Sequence, residues 1–384
     1  MKTSMKILWC GPFFSDQALL EKRSTNQAAA SWSRGLLRGL EAVSGEIRVI
    51  GHCTEQRWPR GDVFWQDNDR KWFLDWFPCE RIAYCNMWGV RDRWLVWAYS
   101  RKVRALCRTW KPDVILCYNS LHPFNVAAMH EARKFGVKCV PIILDGDDPR
   151  KDDWSWLLKG NRYADGVVFL SYWAYCNYPD KKIPLLHLDG GADRWKGTQS
   201  RRADSLKPFT IVHTGALDYW RGLRVMQELL KVCKRDDVRL AICGKCDKTK
   251  RLAELGNDPR VEVKGFLTEC EMNSLCAKAD AFISVRDPKI GDNILNFPSK
   301  IPHYLSWGKP VISTWMESFS PDYREVLYVP DGNNAEGLSR KIDEIMALSP
   351  EERMRHVVRQ RLWFEERKTW VRQSERLVEW LKSI

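Results

Sequence analysis

Short, continuous apolar runs rich in β-branched residues alternate with helical patterns along the whole chain, and this alternation constrains the fold more than any other feature. In the first half the runs are Ile7–Cys10, Ile47–Ile50, Val114–Cys117, Cys139–Leu144, Val167–Leu170 and Pro184–Leu188. In the second half they are Thr210–His213, Leu240–Cys243, Val261–Val263, Ala281–Val285, Pro310–Ser313 and Val326–Val329. Most show no period-two alternation of apolar and polar residues, so both faces of each strand are expected to be buried, as in a parallel sheet covered by helices. Strands alternating with helices make βαβ units, and two such series in tandem predict two doubly wound α/β domains. The length agrees, because 384 residues is long for one ordinary domain and allows two, each with its own core.

The polar, basic stretch Trp195–Pro208 is the predicted linker. It divides the chain into Rossmann-like domains over residues 1–205 and 206–365, with a last helix over 366–384. Ser349-Pro350-Glu351-Glu352 is a clean helix start, with Ser at the N-cap, Pro at the first helical position and Glu closing a capping box. The helical pattern that follows breaks near Lys368-Thr369-Trp370.

Composition narrows the function classes. With 44% hydrophobic and 29% charged residues, the chain is neither disordered nor fibrous. No stretch approaches the roughly 20 apolar residues that cross a bilayer, and the start has no long apolar core before a cleavage site. A cytoplasmic protein is the expectation. The 13 cysteines are scattered and are read as reduced thiols; Cys243-Gly244-Lys245-Cys246 lacks a second pair at zinc-like spacing and is read as a strand end. Sixty-two basic residues against 49 acidic ones give +13, the excess leans toward the first half, and most of the 20 tryptophans also precede Ser205. That balance favours anionic partners: phosphates, membrane surfaces or nucleic acid.

The stretch Asn296–Thr314 (NFPSKIPHYLSWGKPVIST) reads as a loop, a helix beginning near Pro298 and Ser299, a glycine stop at Gly308 and a buried strand. A helix start at a sheet's carboxyl edge gathers free N–H groups and a positive dipole end, worth about 0.3–1 kcal/mol toward an anion. Lys300 adds a formal charge. An ordinary capped helix with a solvated lysine is the alternative on these residues alone.

These residues resemble the C-terminal domain of retaining GT-B glycosyltransferases of the glycogen-synthase-like group, glycosyltransferase group one, whose members often read FPSK, then Glu-Tyr-Leu, then Gly-Lys-Pro-Val. Further pieces fall in the same order. Thr214–Gly222 (TGALDYWRG) resembles the family's Gly-Arg-Leu…Lys-Gly segment, and Ala241-Ile242-Cys243-Gly244 its strand ending in glycine. Val263–Leu267 followed by Ala279-Asp280-Ala281 resembles its Gly-Phe turn and next strand, and Leu188–Asp193 its Asn-Gly-Val-Asp turn. The resemblance is close over Leu188–Thr314 and only in pattern before it. It implies two Rossmann-like domains facing across a cleft, with the C-terminal helix crossing back to the first. It further implies transfer of a sugar, with retention, from a UDP- or GDP-linked donor to an acceptor hydroxyl. No cofactor and no metal ion are implied.

The resemblance also assigns residues. Ser299, Lys300 and Arg221 meet the donor diphosphate, with Gly215 beside them; Gly265 and Phe266 line the base pocket. The family's two glutamates fall here at Leu295 and His303, so His303 is the residue left to meet the ribose hydroxyls. One of the family's two phosphate-contacting cations falls at Ala216, which leaves Arg221. In the first domain Asp145 leaves a buried strand in the acidic loop Asp145-Gly146-Asp147-Asp148, where doubly wound domains place their chemistry. Asp145 is taken as the catalytic carboxylate near the sugar or acceptor, with an ordinary turn cluster or a divalent-metal site as other readings. Gly11, then Ser24 and Asn26 before a capped helix, form the loop that faces the donor phosphates in the family.

Arg93, Trp97, Arg101, Arg104 and Arg108 fall on one face of the helical pattern Arg91–Trp110, with Leu95, Tyr99, Val103, Leu106 and Trp110 opposite. The stripe is read as a solvated face, a contact with anionic lipid at the inner face of the membrane, or a nucleic-acid contact. Acceptors follow these readings. Cell-envelope glycan or lipid-linked sugar assembly comes first, a modified DNA base as in phage enzymes second, and a non-catalytic sugar-nucleotide or anionic-surface binder third.

Overall fold

The computed structural model describes residues 5–21, 26–146, 154–197, 207–215, 222–244, 254–265, 267–286 and 294–384. The chain forms two compact units. One comprises Met1–Gly191, Leu295–Phe297 and Trp370–Ile384; the other comprises Ala192–Ile294 and Pro298–Thr369. Among the described residues no helix is long and apolar enough to cross a membrane. The described cysteines are free thiols, most of them buried.

In the first unit the strands are β1 (Met5–Cys10), β2 (Gly45–Gly51), β3 (Trp65–Gln66), β4 (Cys79–Arg81), β5 (Tyr84–Cys85), β6 (Val114–Tyr118), β7 (Lys138–Ile143), β8 (Val167–Phe169) and β9 (Leu185–His187). Its helices are α1 (Asp16–Glu21), α2 (Gln27–Val43), α3 (Arg91–Thr109), α4 (Pro123–Arg133), α5 (Ser155–Asn161) and α6 (Tyr172–Asn177). Every apolar run expected in the first half appears as a strand. The main sheet runs β4-β2-β1-β6-β7-β8-β9, and every pairing in it is parallel. The order reverses direction between β1 and β6, the place where an open parallel sheet leaves a crevice at its carboxyl edge. Ile7, Leu8, Trp9 and Cys10 are fully buried, which is why β1 reads as an unbroken apolar run.

One part of this unit had no counterpart in the sequence reading. Between β2 and α3 the chain makes a small insert in which β3 and β5 pair antiparallel, Trp65 opposite Cys85. Strands of two residues are too short to show a period. The insert is held by a buried amide instead: Asn86 Nδ2 donates to the carbonyls of Gln56 (2.7 Å) and Val63 (2.8 Å).

The second unit carries β10 (Phe209–Thr214), β11 (Val238–Cys243), β12 (Val261–Gly265), β13 (Ala281–Ser284) and β14 (Val311–Ser313) in the order β12-β11-β10-β13-β14, all parallel. Helices α7 (Arg224–Val232), α8 (Glu269–Lys278), α9 (Lys300–Leu305), α10 (Ala335–Ala347) and α11 (Pro350–Arg367) belong to it. The predicted capping box at Ser349 and Glu352 is formed, and α8 has a second at Thr268 and Glu271. Val326–Val329, expected as a strand, makes only the isolated bridge Ile312–Tyr328. Pro330 follows at once and supplies no N–H to extend the ladder.

The last helix, α12 (Trp370–Ser383), packs in the first unit against α2. Two glycines of α2 make the approach: a Cβ on Gly35 would lie 2.0 Å from the Trp370 indole nitrogen, and one on Gly39 2.4 Å from the Trp370 carbonyl oxygen. Lys138 on β7 donates to the carbonyl of Leu381 (3.0 Å), one of the acceptors left open at the helix end. Replacing Gly39 by Ala forces backbone apart from backbone. The expected cost is about 1–3 kcal/mol of stability, read as a lower denaturation midpoint; an unchanged midpoint would show that the two helices separate without loss.

Candidate functional site

The second unit's sheet changes direction between β10 and β13, and its most organised polar cluster lies at the end of β10. His213 is fully buried, and its Nδ1–H donates to the Ile283 carbonyl on β13 (3.0 Å). A carbonyl only accepts, so Nε2 is left as a lone pair, and it accepts from Lys300 Nζ at 3.1 Å. The same ammonium donates to the Thr214 carbonyl at 2.9 Å. Burial first, and the Lys300 charge second, hold His213 well below the ordinary histidine range. It is a neutral acceptor beneath a cation.

Thr214 is fixed from its other side. Its N–H donates to Tyr304 Oη at 2.7 Å, and Tyr304 is fully buried and stacked on Phe282 with ring centroids 4.6 Å apart. Beyond Thr214 the chain turns through Gly215 at φ +95°, and a Cβ there would lie 3.9 Å from Lys300 Nζ. The ammonium therefore lies beside the Gly215 backbone. Gly215 N–H donates to the Cys243 carbonyl (2.8 Å), and Gly244 N–H to the Gly265 carbonyl (2.7 Å). Gly244 has φ +135°, and a Cβ on it would stand 2.3 Å from the Gly215 oxygen. The ends of β10, β11 and β12 thus close on glycine.

The helix that carries Lys300 differs from expectation. α9 has only six residues, and Ser299 before it is exposed, in helical conformation (φ −53°, ψ −16°), with no side-chain capping bond. One short turn gathers little dipole, so positive charge at this edge comes from side chains, Lys300 first and Arg286 second among the described residues near His213. His303 lies one turn on, half-buried, with Nε2 accepting from Trp307 Nε1 at 3.2 Å. Burial and then the nearby Lys196 lower it to about 4. It presents a neutral Nδ1–H donor where the resembling family has an acceptor carboxylate. Gly265 has φ +66° with open space at its Cβ position. Arg221 and Phe266 lie outside the described residues.

In the first unit, Gly11 follows β1 so closely under β6 that a Cβ would stand 2.5 Å from Tyr118 Cβ. Asn26 is spent on capping: its Oδ1 accepts from Ala28 N (3.0 Å) and Ala29 N (3.3 Å) at the start of α2. Ser24, Asp147 and Asp148 lie outside the described residues. Asp145 is exposed where β7 ends. The strand end before it is set by Asn119, whose Oδ1 accepts from Leu144 N (2.8 Å), and by Asn125, whose Nδ2 donates to the carbonyls of Tyr118 (2.6 Å) and Asn119 (2.9 Å). Leu295 is buried, and its Cδ1 would be 2.8 Å from a Cβ on Gly146. The position that carries a glutamate in the resembling family is here hydrocarbon beneath the Asp145 turn.

On α3 the face opposite the stripe is buried at Leu95, Tyr99, Val103 and Leu106. Arg93, Trp97, Arg101, Arg104 and Arg108 are all exposed. Arg104 nevertheless differs from the others, because its Nε donates to Glu131 of α4 at 3.1 Å. The stripe is therefore not one uninterrupted set of cations.

In the second unit, then, Lys300 and Gly215 come together, joined by His213 and Tyr304, which sequence reasoning did not single out. The signal for His213 was an ionisable residue directly after the apolar pair Ile211-Val212 in a buried strand.

Residues 208–347 match the family described as Glycosyl transferases group 1. Among curated proteins, none matches the chain in sequence. Solved structures similar to it across both units include a glycosyltransferase from Rickettsia africae ESF-5, with TM-score 0.69, 13% identity, and coverage of 99% of this chain and 98% of that one. Another is HepE of Anabaena in complex with UDP and glucose, with TM-score 0.67, 14% identity, and coverage of 99% and 100%. A third is the apo form of the lipopolysaccharide outer core galactosyltransferase WaaB, with TM-score 0.62, 14% identity, and coverage of 99% of each chain. At these identities the likeness is one of fold, and that fold is GT-B.

The histidines yield a pH dependence. An unfolded imidazole titrates near 6.5, whereas His303 is held to about 4 and His213 lower than its ordinary range. Below 6.5 the unfolded chain takes up protons that the folded one refuses, so stability falls as pH drops toward 4 and is unaffected by these groups above 7. Thermal unfolding from pH 5 to 8 is expected to show a drooping acidic limb that flattens in His303→Gln. An acidic limb identical in the variant would contradict the assignment.

Proposed function

We propose that this glycosyltransferase, whose residues 208–347 match the Glycosyl transferases group 1 family, moves a sugar, with retention, from a UDP-linked donor to a hydroxyl of a cell-envelope glycan or lipid-linked acceptor. One observation carries the donor half of that reading: the Lys300 ammonium, fixed over Gly215 at the carboxyl edge by His213 and the Thr214 carbonyl. These two acceptors hold the ammonium in position.

A cation held in position is what a leaving diphosphate requires. As the glycosidic bond breaks, negative charge grows on the phosphate oxygens, and a preoriented cation lowers the barrier without reorganising. Arg221 joins Lys300 in this role; its planar fork suits two phosphate oxygens. Ser299 adds a hydroxyl at the same edge. Gly265 and Phe266 border the base, and the His303 Nδ1–H donates to a ribose hydroxyl oxygen. A uridine donor is favoured by the fold shared with HepE, whose structure holds UDP and glucose. On the acceptor side Asp145 is the carboxylate beside the sugar.

Thermal-shift screening against UDP-, GDP-, ADP- and TDP-sugars, followed by product detection, tests the reading, since only ligands of the native state raise Tm. A shift with UDP-sugars is expected; none with any nucleotide would overturn it. Replacing Lys300 by Ala is expected to weaken UDP-sugar binding by roughly 1.5–3 kcal/mol, the range of a hydrogen bond to a charged group. Calorimetry giving an unchanged Kd would place the diphosphate elsewhere. Because side-chain cations and backbone N–H groups meet the diphosphate, turnover is expected to survive EDTA. Abolition by EDTA with recovery on adding manganese would instead make the Asp145 loop a metal site.

A further inference from the structure

The insert between β2 and α3 holds aromatic side chains that no core uses. Trp58, Phe64, Trp65 and Trp88 are 39%, 50%, 49% and 66% exposed, and Trp97, near the start of α3, is 56% exposed. Single exposed apolar residues need no explanation, but a concentration of large rings in one segment marks a contact surface. The rings are also held in place. Trp94 lies between Trp65 and Trp97, with centroids 5.4 Å and 6.0 Å away, and Trp58 meets Phe64 at 5.5 Å. Trp88 N–H donates to the Trp58 carbonyl (3.3 Å), so the two ends of the insert are tied by backbone.

Cations stand among these rings. The Arg57 guanidinium lies 5.0 Å from the Trp88 ring centroid and that of Arg101 5.5 Å from Trp97, while Arg93 is exposed one turn before Trp97. Arg57 is shared with Asp92 (2.7 Å), Arg91 donates to the Glu55 carbonyl (2.9 Å), and Arg104 further along α3 is paired with Glu131; Arg93 and Arg101 are exposed beside the aromatic end of the helix.

The ring geometry discriminates between partners. The pairs meet at 88°, 89° and 70°, edge to face. A glycan stacking along a surface needs rings that lie flat in series, and these do not. A bilayer interface asks only for amphipathic rings at headgroup depth with arginines beside them. Rings and cations together match lipid carrying negative headgroups.

We propose that residues 57–97, with the first turns of α3, dock the first unit on an anionic lipid bilayer. Trp58, Trp88 and Trp97 enter the headgroup layer, and Arg93 and Arg101 meet lipid phosphates. The proposal stands apart from the sugar-transfer reading, since it concerns no donor-site residue.

The test is sedimentation with vesicles of phosphatidylcholine alone and of phosphatidylcholine with phosphatidylserine, at low and moderate salt. The unmodified protein is expected to bind the anionic vesicles at least tenfold more tightly, and less so as salt rises. Trp58→Ala/Trp88→Ala/Trp97→Ala is expected to bind them at least tenfold more weakly, with its thermal unfolding recorded alongside. Arg93→Glu/Arg101→Glu, which changes only exposed charges, is expected to lose the preference for anionic lipid and serves if the tryptophan variant folds poorly. The proposal is overturned if the unmodified protein fails to sediment or if both variants sediment as it does. It is also overturned if the tryptophan variant keeps vesicle binding but loses retention on immobilised glycan, which would make the rings a sugar platform.

Discussion

A buried, neutral imidazole beneath a lysine ammonium is the interaction around which the carboxyl edge of the second unit's sheet is built. Imidazole without a proton on Nε2 accepts from a cation while carrying no charge of its own, and burial is what keeps it in that state. Its other nitrogen is anchored to β13, so the strand pair that brackets the sheet's reversal also sets the position of the charge. Tyr304, stacked on Phe282 and bonded to Thr214, fixes the same corner from behind. A parallel sheet gives strand ends for free; packing behind those ends determines where one cation points.

The strands were legible because their physics is local. A strand buried on both faces has to be apolar throughout, and each such run except Val326–Val329 became a strand, that one ending against Pro330. Lys300 was legible from its place before a capped strand-and-glycine pattern, but the supposed dipole of its helix was not real to the same degree, because helix length is set by packing and α9 stops after six residues. His213 and Tyr304 were not legible as site residues. Their roles depend on partners 70 to 90 positions away in sequence, and no spacing rule encodes such a contact. The α2–α12 packing was legible only as a consequence of resemblance; the glycines that permit it look like poor helix formers until the opposing tryptophan is in place.

The first unit shows how substitution redistributes roles. Where a carboxylate stands in the resembling family, Leu295 contributes hydrocarbon under the Asp145 turn, and an asparagine pair holds the neighbouring strand ends. Position is kept while charge is lost.

The helix α12 also has a consequence for synthesis. Residues 1–191 make most of the first unit, yet Trp370–Ile384 complete it. A growing chain on the ribosome has exposed α2, with its bare glycine face, long before Trp370 has been made. The second unit is contiguous apart from three residues and has all of its own chain once Thr369 emerges. Domains usually fold in order from the N-terminus; here the domain that begins first is completed last, when the helix Trp370–Ser383 has been made.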